Sequence, residues 1–283
     1  MNDLIHFYKH WASEPRGGWD KVNITKHDGV YYVHIALLER FLDTYAKNEK
    51  NIVLVTEGSD LCIHENHNMI HIANTNLTDR VSFFDKKKVA NIKYWFSTNN
   101  NSKTLSVNSI PCGFWRKINT LPEPKSEKKN RILLCCNINN NIHIRLPIFK
   151  KFSNDKNVDI IELPQIIEDA SDWSKTTEAH KYLLDLVNEY KYVICPESNG
   201  IDTNRLWECS ILNSIPLTNP LYFYRNIEYM TNAISTNLLE IDTEVIINNN
   251  YIAIDKKEYL TNQYWLNAIE KALNTDENNF VTR

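Results

Sequence analysis

Short, unbroken apolar runs alternate along this chain with stretches of helical spacing. "NIVLVTEG" (Asn51 to Gly58) has no polar alternation, as expected of a parallel strand covered on both faces. Before it, "VHIALLERFLDTYAKN" (Val33 to Asn48) places Ile35, Leu38, Phe41, Leu42 and Tyr45 on one stripe and predicts a helix. "MIHIAN" (Met69 to Asn74) and "KYWFST" (Lys93 to Thr98) predict further short strands. "TLPEPKSEKKN" (Thr120 to Asn130) has no period and concentrates proline and charge, so it predicts a linker. The pattern then restarts. "RILLCC" (Arg131 to Cys136) predicts a buried strand, and a helix follows from Ile144 to Phe152. "VDIIEL" predicts a strand, and "AHKYLLDLVNEY" a helix with Tyr182, Leu183, Leu186 and Val187 in register. "KYVICP", "NRLWECSILN" and "SIPLTN" predict strand, helix and strand. "KEYLTNQYWLNAIEKALN" predicts a closing helix with Leu260, Tyr264, Trp265, Ile269 and Leu273 on its apolar side.

Strands that alternate with helices predict an α/β fold with doubly wound parallel sheets. The linker at 120–130 divides the chain into residues 1–119 and 131–283, two Rossmann-like domains facing a cleft. Ligands of such sheets bind outside the carboxyl ends of the strands.

Composition narrows the partners. Apolar residues make up 42% of the chain and charged residues 24%, so a sizeable core is available. The net charge is -3 and the only basic run is Lys86-Lys87-Lys88, which predicts a solvated face and no nucleic-acid partner. The six cysteines form no C-x-x-C pair, which fits a reducing compartment. The first residues lack the apolar core of a signal peptide, and no apolar run approaches the ~20 residues of a membrane span. The sequence therefore predicts a cytoplasmic protein without a transmembrane segment. Asn-rich stretches such as "STNNNS" and "NINNNI" read as loops.

Candidate chemistry concentrates in "YVICPESNGIDTNRLWECSILNSIPLTNP", Tyr192 to Pro220. Between its two apolar strands lie Glu197, Asn199, Asp202, Asn204, Arg205 and Glu208. Pro196 ends the first strand, and Asp202 or Thr203 can cap the helix. Arg205 and Glu208, three residues apart, share one helical face, while Leu206, Cys209 and Leu212 share another that can pack on the sheet. A helix start with free N–H groups suits phosphate, an arginine fork can grip a diphosphate, and a carboxylate suits ribose hydroxyls. An ordinary strand–helix unit with an Arg–Glu surface pair would carry the same residues.

This segment resembles the donor site of exostosin-like and fucosyltransferase-like GT-B glycosyltransferases. Pro196, Gly200, Asp202, Thr203, Arg205, Trp207, Glu208, Ile215 and Pro216 carry the resemblance. Asn213-Ser214 departs from it, because the family usually has a glycine before Ile-Pro. "ILLCCNINNNIHIR" is similar to the first strand and loop of such a donor domain, with Arg145 as a second phosphate ligand. The resemblance implies a GT-B fold and transfer of a sugar from a nucleotide diphosphate sugar to a hydroxyl of a glycan or glycoconjugate. It implies a donor set of Arg145, Glu197, Asn199, Gly200, Asp202, Thr203, Arg205 and Glu208, and no metal cofactor. No Asp-x-Asp, Walker or G-x-G-x-x-G motif occurs. An inverting reaction needs a base across the cleft. Asp60 is the first choice and Glu57 the second, both at the end of "VLVTEGSD", ahead of Asp20 and Glu14.

Other readings remain open at this stage. Cys62, His64, His67 and His71 invite a zinc hydrolase, but Asn68 stands where H-E-x-x-H needs a glutamate. A two-domain module that binds a sugar or nucleotide without catalysis would show the same strand–helix alternation. Trp11, Trp19 and Trp115 suit an acceptor platform, and Tyr222 or Phe223 suits stacking on a nucleobase.

Overall fold

The computed structural model describes residues 24–57, 63, 89–101, 107–113, 121–161, 173–198, 200–221 and 227–275. They form an α/β fold with two five-stranded sheets.

The first sheet runs in chain order. β1 (Ile24–His27) and β2 (Val30–His34) form a hairpin, and β3 (Ile52–Glu57), β4 (Ile92–Ser97) and β5 (Val107–Ser109) follow in parallel. The antiparallel edge departs from the all-parallel sheet expected of the sequence. Its cause is the Asp28-Gly29 turn. Both residues have positive φ, 47° and 83°, as a tight hairpin turn of this hand requires. The hairpin also shortens the helix predicted from Val33. Val33 and His34 belong to β2, a 3₁₀ turn spans Ile35–Leu37, and α1 is Leu38–Thr44. A β-carbon on Gly29 would lie 3.3 Å from Leu273 Cδ2, on top of the left-handed backbone. Gly29→Ala is therefore expected to destabilise the fold by about 1 kcal/mol or more, read by urea denaturation.

The second sheet is wholly parallel, with order β10-β9-β8-β6-β7. Its strands are β6 (Lys129–Leu134), β7 (Val158–Ile160), β8 (Tyr190–Ile194), β9 (Ile215–Thr218) and β10 (Ile234–Ser235). The helices are α2 (Ile142–Phe152), α3 (Trp173–Glu189), α4 (Asn204–Ile211), α5 (Thr243–Asn248) and α6 (Asn262–Asn274). No helix among the described residues is long and apolar enough to cross a membrane.

Three cores make up the layers. Tyr31, Phe41, Leu54 and Trp95 bury one face of the first sheet under α1. Ile148 and Phe152 of α2 and Ile246 of α5 cover one face of the second sheet, against Tyr192, Ile194 and Leu217. Between the sheets lies one shared core. Val53, Val55, Tyr94 and Phe96 of the first sheet join Leu133 and Val193 of the second through α3, α4 and α6. The closing helix thus reaches back to the first sheet, where Lys93 Nζ donates to the Thr275 carbonyl. The 121–128 segment has no regular structure and is pinned by Asn188. Lys125 N donates to Asn188 Oδ1 at 3.0 Å, and Asn188 Nδ2 donates to the Glu123 carbonyl at 2.7 Å.

Candidate functional site

In the second sheet β6 is flanked by β7 on one side and β8 on the other. The chain leaves β6 for α2, which packs on one face, and leaves β8 for α4, which packs on the opposite face. The loops after β6 and β8 therefore diverge at the carboxyl ends of these strands, which makes this the switch point of the sheet. Parallel α/β sheets take ligands at such a switch point.

Two arginines meet there. Arg145, on the first turn of α2, is 5% exposed. Its Nε donates to the Glu197 carbonyl at 2.9 Å and its Nη1 to the Asn137 carbonyl, so it clasps the loops after β8 and β6 together. Asn141 Nδ2 adds a second tie, donating to the Ser198 carbonyl at 3.0 Å. Arg205, on the first turn of α4, donates from Nε to Glu208 Oε2 at 2.9 Å. Its Nη1 is buried and has no hydrogen-bond partner among the described residues. The same holds for the hydroxyl of Thr203, the residue that caps α4 by position but makes no side-chain capping bond.

Burial and charge pairing set the ionisation of these groups. Burial opposes the charge on Arg205, yet Glu208 and the thiols of Cys135 and Cys209 hold its pKa above the usual arginine value. Burial lowers that of Arg145, and the charge of Arg205 lowers it further. Both remain guanidinium ions, since arginine does not deprotonate in proteins. Burial would raise the Glu208 carboxyl, but Arg205 and His180 pull it down to about 2. Burial pushes the carboxyl of Glu197 the other way, toward the neutral acid, against hydrogen bonds from its own backbone and from Asn219. The Cys136 thiol is raised by burial and countered by Arg145 and then Arg205, so it lies within reach of both charges. Two guanidinium ions and the firmly ionised Glu208 carboxylate thus lie together, with the Glu197 carboxyl, raised by burial, beside Arg145.

Several expected ligands are engaged inside the protein. Both Glu208 oxygens are taken, Oε2 by Arg205 and Oε1 by His180 Nε2 at 2.8 Å, and the residue is 3% exposed. The Arg–Glu pair is a buried one, not a surface one. Asp202 is turned toward the first sheet. Its Oδ2 accepts from Cys112 N at 2.6 Å and its Oδ1 from Trp207 Nε1 at 2.6 Å. Its own N–H donates to Asn99 Oδ1 at 2.9 Å, and Asn204 Nδ2 donates to the Gly113 carbonyl at 2.6 Å. Asp202 and Asn204 therefore join the carboxyl ends of the two sheets. Gly200 is buried in the loop, where its carbonyl accepts from Ser198 N at 3.0 Å. Leu206, Cys209 and Leu212 pack in the shared core, as their spacing predicts.

Glu57 ends β3 at the carboxyl edge of the first sheet, beside a buried network in which Thr56 Oγ1 donates to Ser97 Oγ and accepts from Trp95 Nε1. Asp60, Asn199, Asp20, Glu14, Tyr222, Phe223, Trp11, Trp19 and Trp115 lie outside the described residues, as do "MIHIAN", Cys62, His64, His67 and His71. Among the described residues no three His, Cys, Asp or Glu side chains are grouped to hold a metal ion. Sequence reasoning missed His180, Cys136 and Asn219. His180 shares a stripe with Leu183, Leu184 and Val187, all buried, and a polar residue on such a stripe signals a buried partner. No protein-family model matches this chain, and no curated protein matches it in sequence.

Proposed function

We propose that this chain is a GT-B-type glycosyltransferase that grips the diphosphate of a nucleotide sugar between Arg145 and Arg205. The observation that carries the reading is the buried, unpartnered Nη1 of Arg205 beside a second guanidinium at the switch point of the parallel sheet. A buried donor without a partner costs about 1–3 kcal/mol, and a diphosphate oxygen removes that cost. The start of α4 adds a partial positive charge. Sugar transfer then proceeds by positioning and by stabilising the diphosphate as it leaves. The ribose role expected of Glu208 drops out, because both its oxygens are committed; its part is to hold Arg205. The acceptor hydroxyl, on a glycan or glycoconjugate, approaches from the side of the first sheet on which Glu57 ends β3, and Glu57, or Asp60 three positions on in the sequence, takes its proton if the reaction inverts.

The test is calorimetric titration of UDP, GDP, CDP and ADP into the protein without added metal. One of them is expected to bind in the micromolar range. Arg205→Ala and Arg145→Ala are each expected to weaken it by about 1.5–3 kcal/mol, the worth of a charged hydrogen bond. If no diphosphate binds, or if both variants bind like the parent, the reading fails. A binding module without catalysis would take up the nucleoside diphosphate but transfer no sugar from the corresponding nucleotide sugar.

A further inference from the structure

The geometry points to His180 as a positioning residue that keeps Arg205 available to an anion; this rests on the anion-site reading above. An arginine and a carboxylate left to themselves pair side by side, with two parallel N–H···O bonds. Arg205 and Glu208 do not. Only Nε of Arg205 is bonded to Glu208, through Oε2, because Oε1 is held by His180 Nε2 at 2.8 Å. His180 reaches this carboxylate from a different helix, α3, and is itself 9% exposed. The three side chains form a chain running from α3 through Glu208 to Arg205, and beyond its end Nη1 of Arg205 is buried without a partner. Without His180, Oε1 is free to swing onto the Nη group on the same edge of the guanidinium. That second bond, to Nη2, would draw Arg205 along α4 and carry the unpartnered Nη1 away from the position in which it meets an anion.

The experiment uses inorganic pyrophosphate as the probe, titrated by calorimetry into the full chain and its variants. His180→Ala and His180→Leu, the second filling the space without a polar atom, are expected to weaken pyrophosphate by about tenfold, the worth of one net hydrogen bond. His180→Gln, whose amide can still donate to Oε1, is expected to stay close to the parent. In an Arg205→Ala background His180→Ala is expected to add nothing, because the residue acts only through Arg205. If His180→Ala and His180→Leu bind like the parent while Arg205→Ala does not, the inference is overturned and the anion site stands. The inference is equally overturned if His180→Gln is as weak as His180→Ala, or if the two losses simply add. If the parent protein does not bind pyrophosphate, the anion-site reading itself is overturned, and the role of His180 falls with it.

Discussion

Glu208→Ala is expected to lower the free energy of unfolding by about 3–5 kcal/mol, the cost of removing one partner from a buried ion pair. Glu208 is 3% exposed and lies between His180 and Arg205. Its removal leaves a buried guanidinium with no counter-charge and a buried imidazole with no partner. The loss is a property of the stranded charge, not of the pair. Removing both charges together, with Arg205→Met and Glu208→Leu, is therefore expected to recover much of the stability while abolishing diphosphate binding. Urea denaturation of the two variants beside the parent separates the cases. Equal destabilisation of single and double variants would show that packing, not stranded charge, sets the cost.

The same carboxylate has a pH signature. Its folded pKa, about 2, lies below the usual 4.5 of glutamate. A depressed acid contributes stability above its unfolded pKa and loses it as pH falls toward the folded one. This contribution, about 3 kcal/mol, is complete at neutral pH and disappears between about pH 4.5 and pH 2.

The sequence made the strand–helix alternation legible where apolar runs were continuous. β3 and β9 sit within predicted runs, because a strand covered on both faces has no room for polar positions, while β6 begins at Lys129, two residues inside the predicted linker, and β8 begins at Tyr190, the last residue of the predicted helix. The β1–β2 hairpin was not predicted: its one local signal, the Asp28-Gly29 turn, gave way to a helical stripe starting at Val33. Contacts between the sheets were not legible. Nothing local marks Asp202 as a partner of Cys112, ninety positions away in the chain. Its place ahead of a helix reads as a cap, yet the structure spends both oxygens elsewhere. For Arg205 and Glu208 the spacing identified the pair, but only the packing of α3 on α4 shows that it is buried and that His180 completes it. The switch point itself follows from strand order, and strand order is set by long-range pairing that spacing along the chain does not encode.

The largest effect of pH on this fold is expected at Asp202, with a sign opposite to that of Glu208. Burial raises the Asp202 carboxyl to about 7 from the usual 3.8, against the pull of Cys112 N and Trp207. An acid with a raised folded pKa takes up its proton more readily in the native state than in the unfolded one. Its contribution is full below the unfolded pKa and is lost as pH rises through the folded one. Unfolding free energy should therefore increase as pH falls from about 7 to about 4, by as much as about 1.4 kcal/mol per unit and roughly 4 kcal/mol in all. Asp202→Asn removes this slope because the amide does not titrate. The amide also offers a single acceptor oxygen where two N–H groups need one each, so a fixed loss of about 1–3 kcal/mol is expected at every pH. Urea denaturation of the parent and Asp202→Asn at pH 8, 7, 6 and 5 checks both parts. The difference between them should widen toward acid, with the parent gaining. A constant difference would mean that Asp202 stays ionised throughout, held by its two donors. The bond that joins the two sheets would then be charged at every pH the fold experiences.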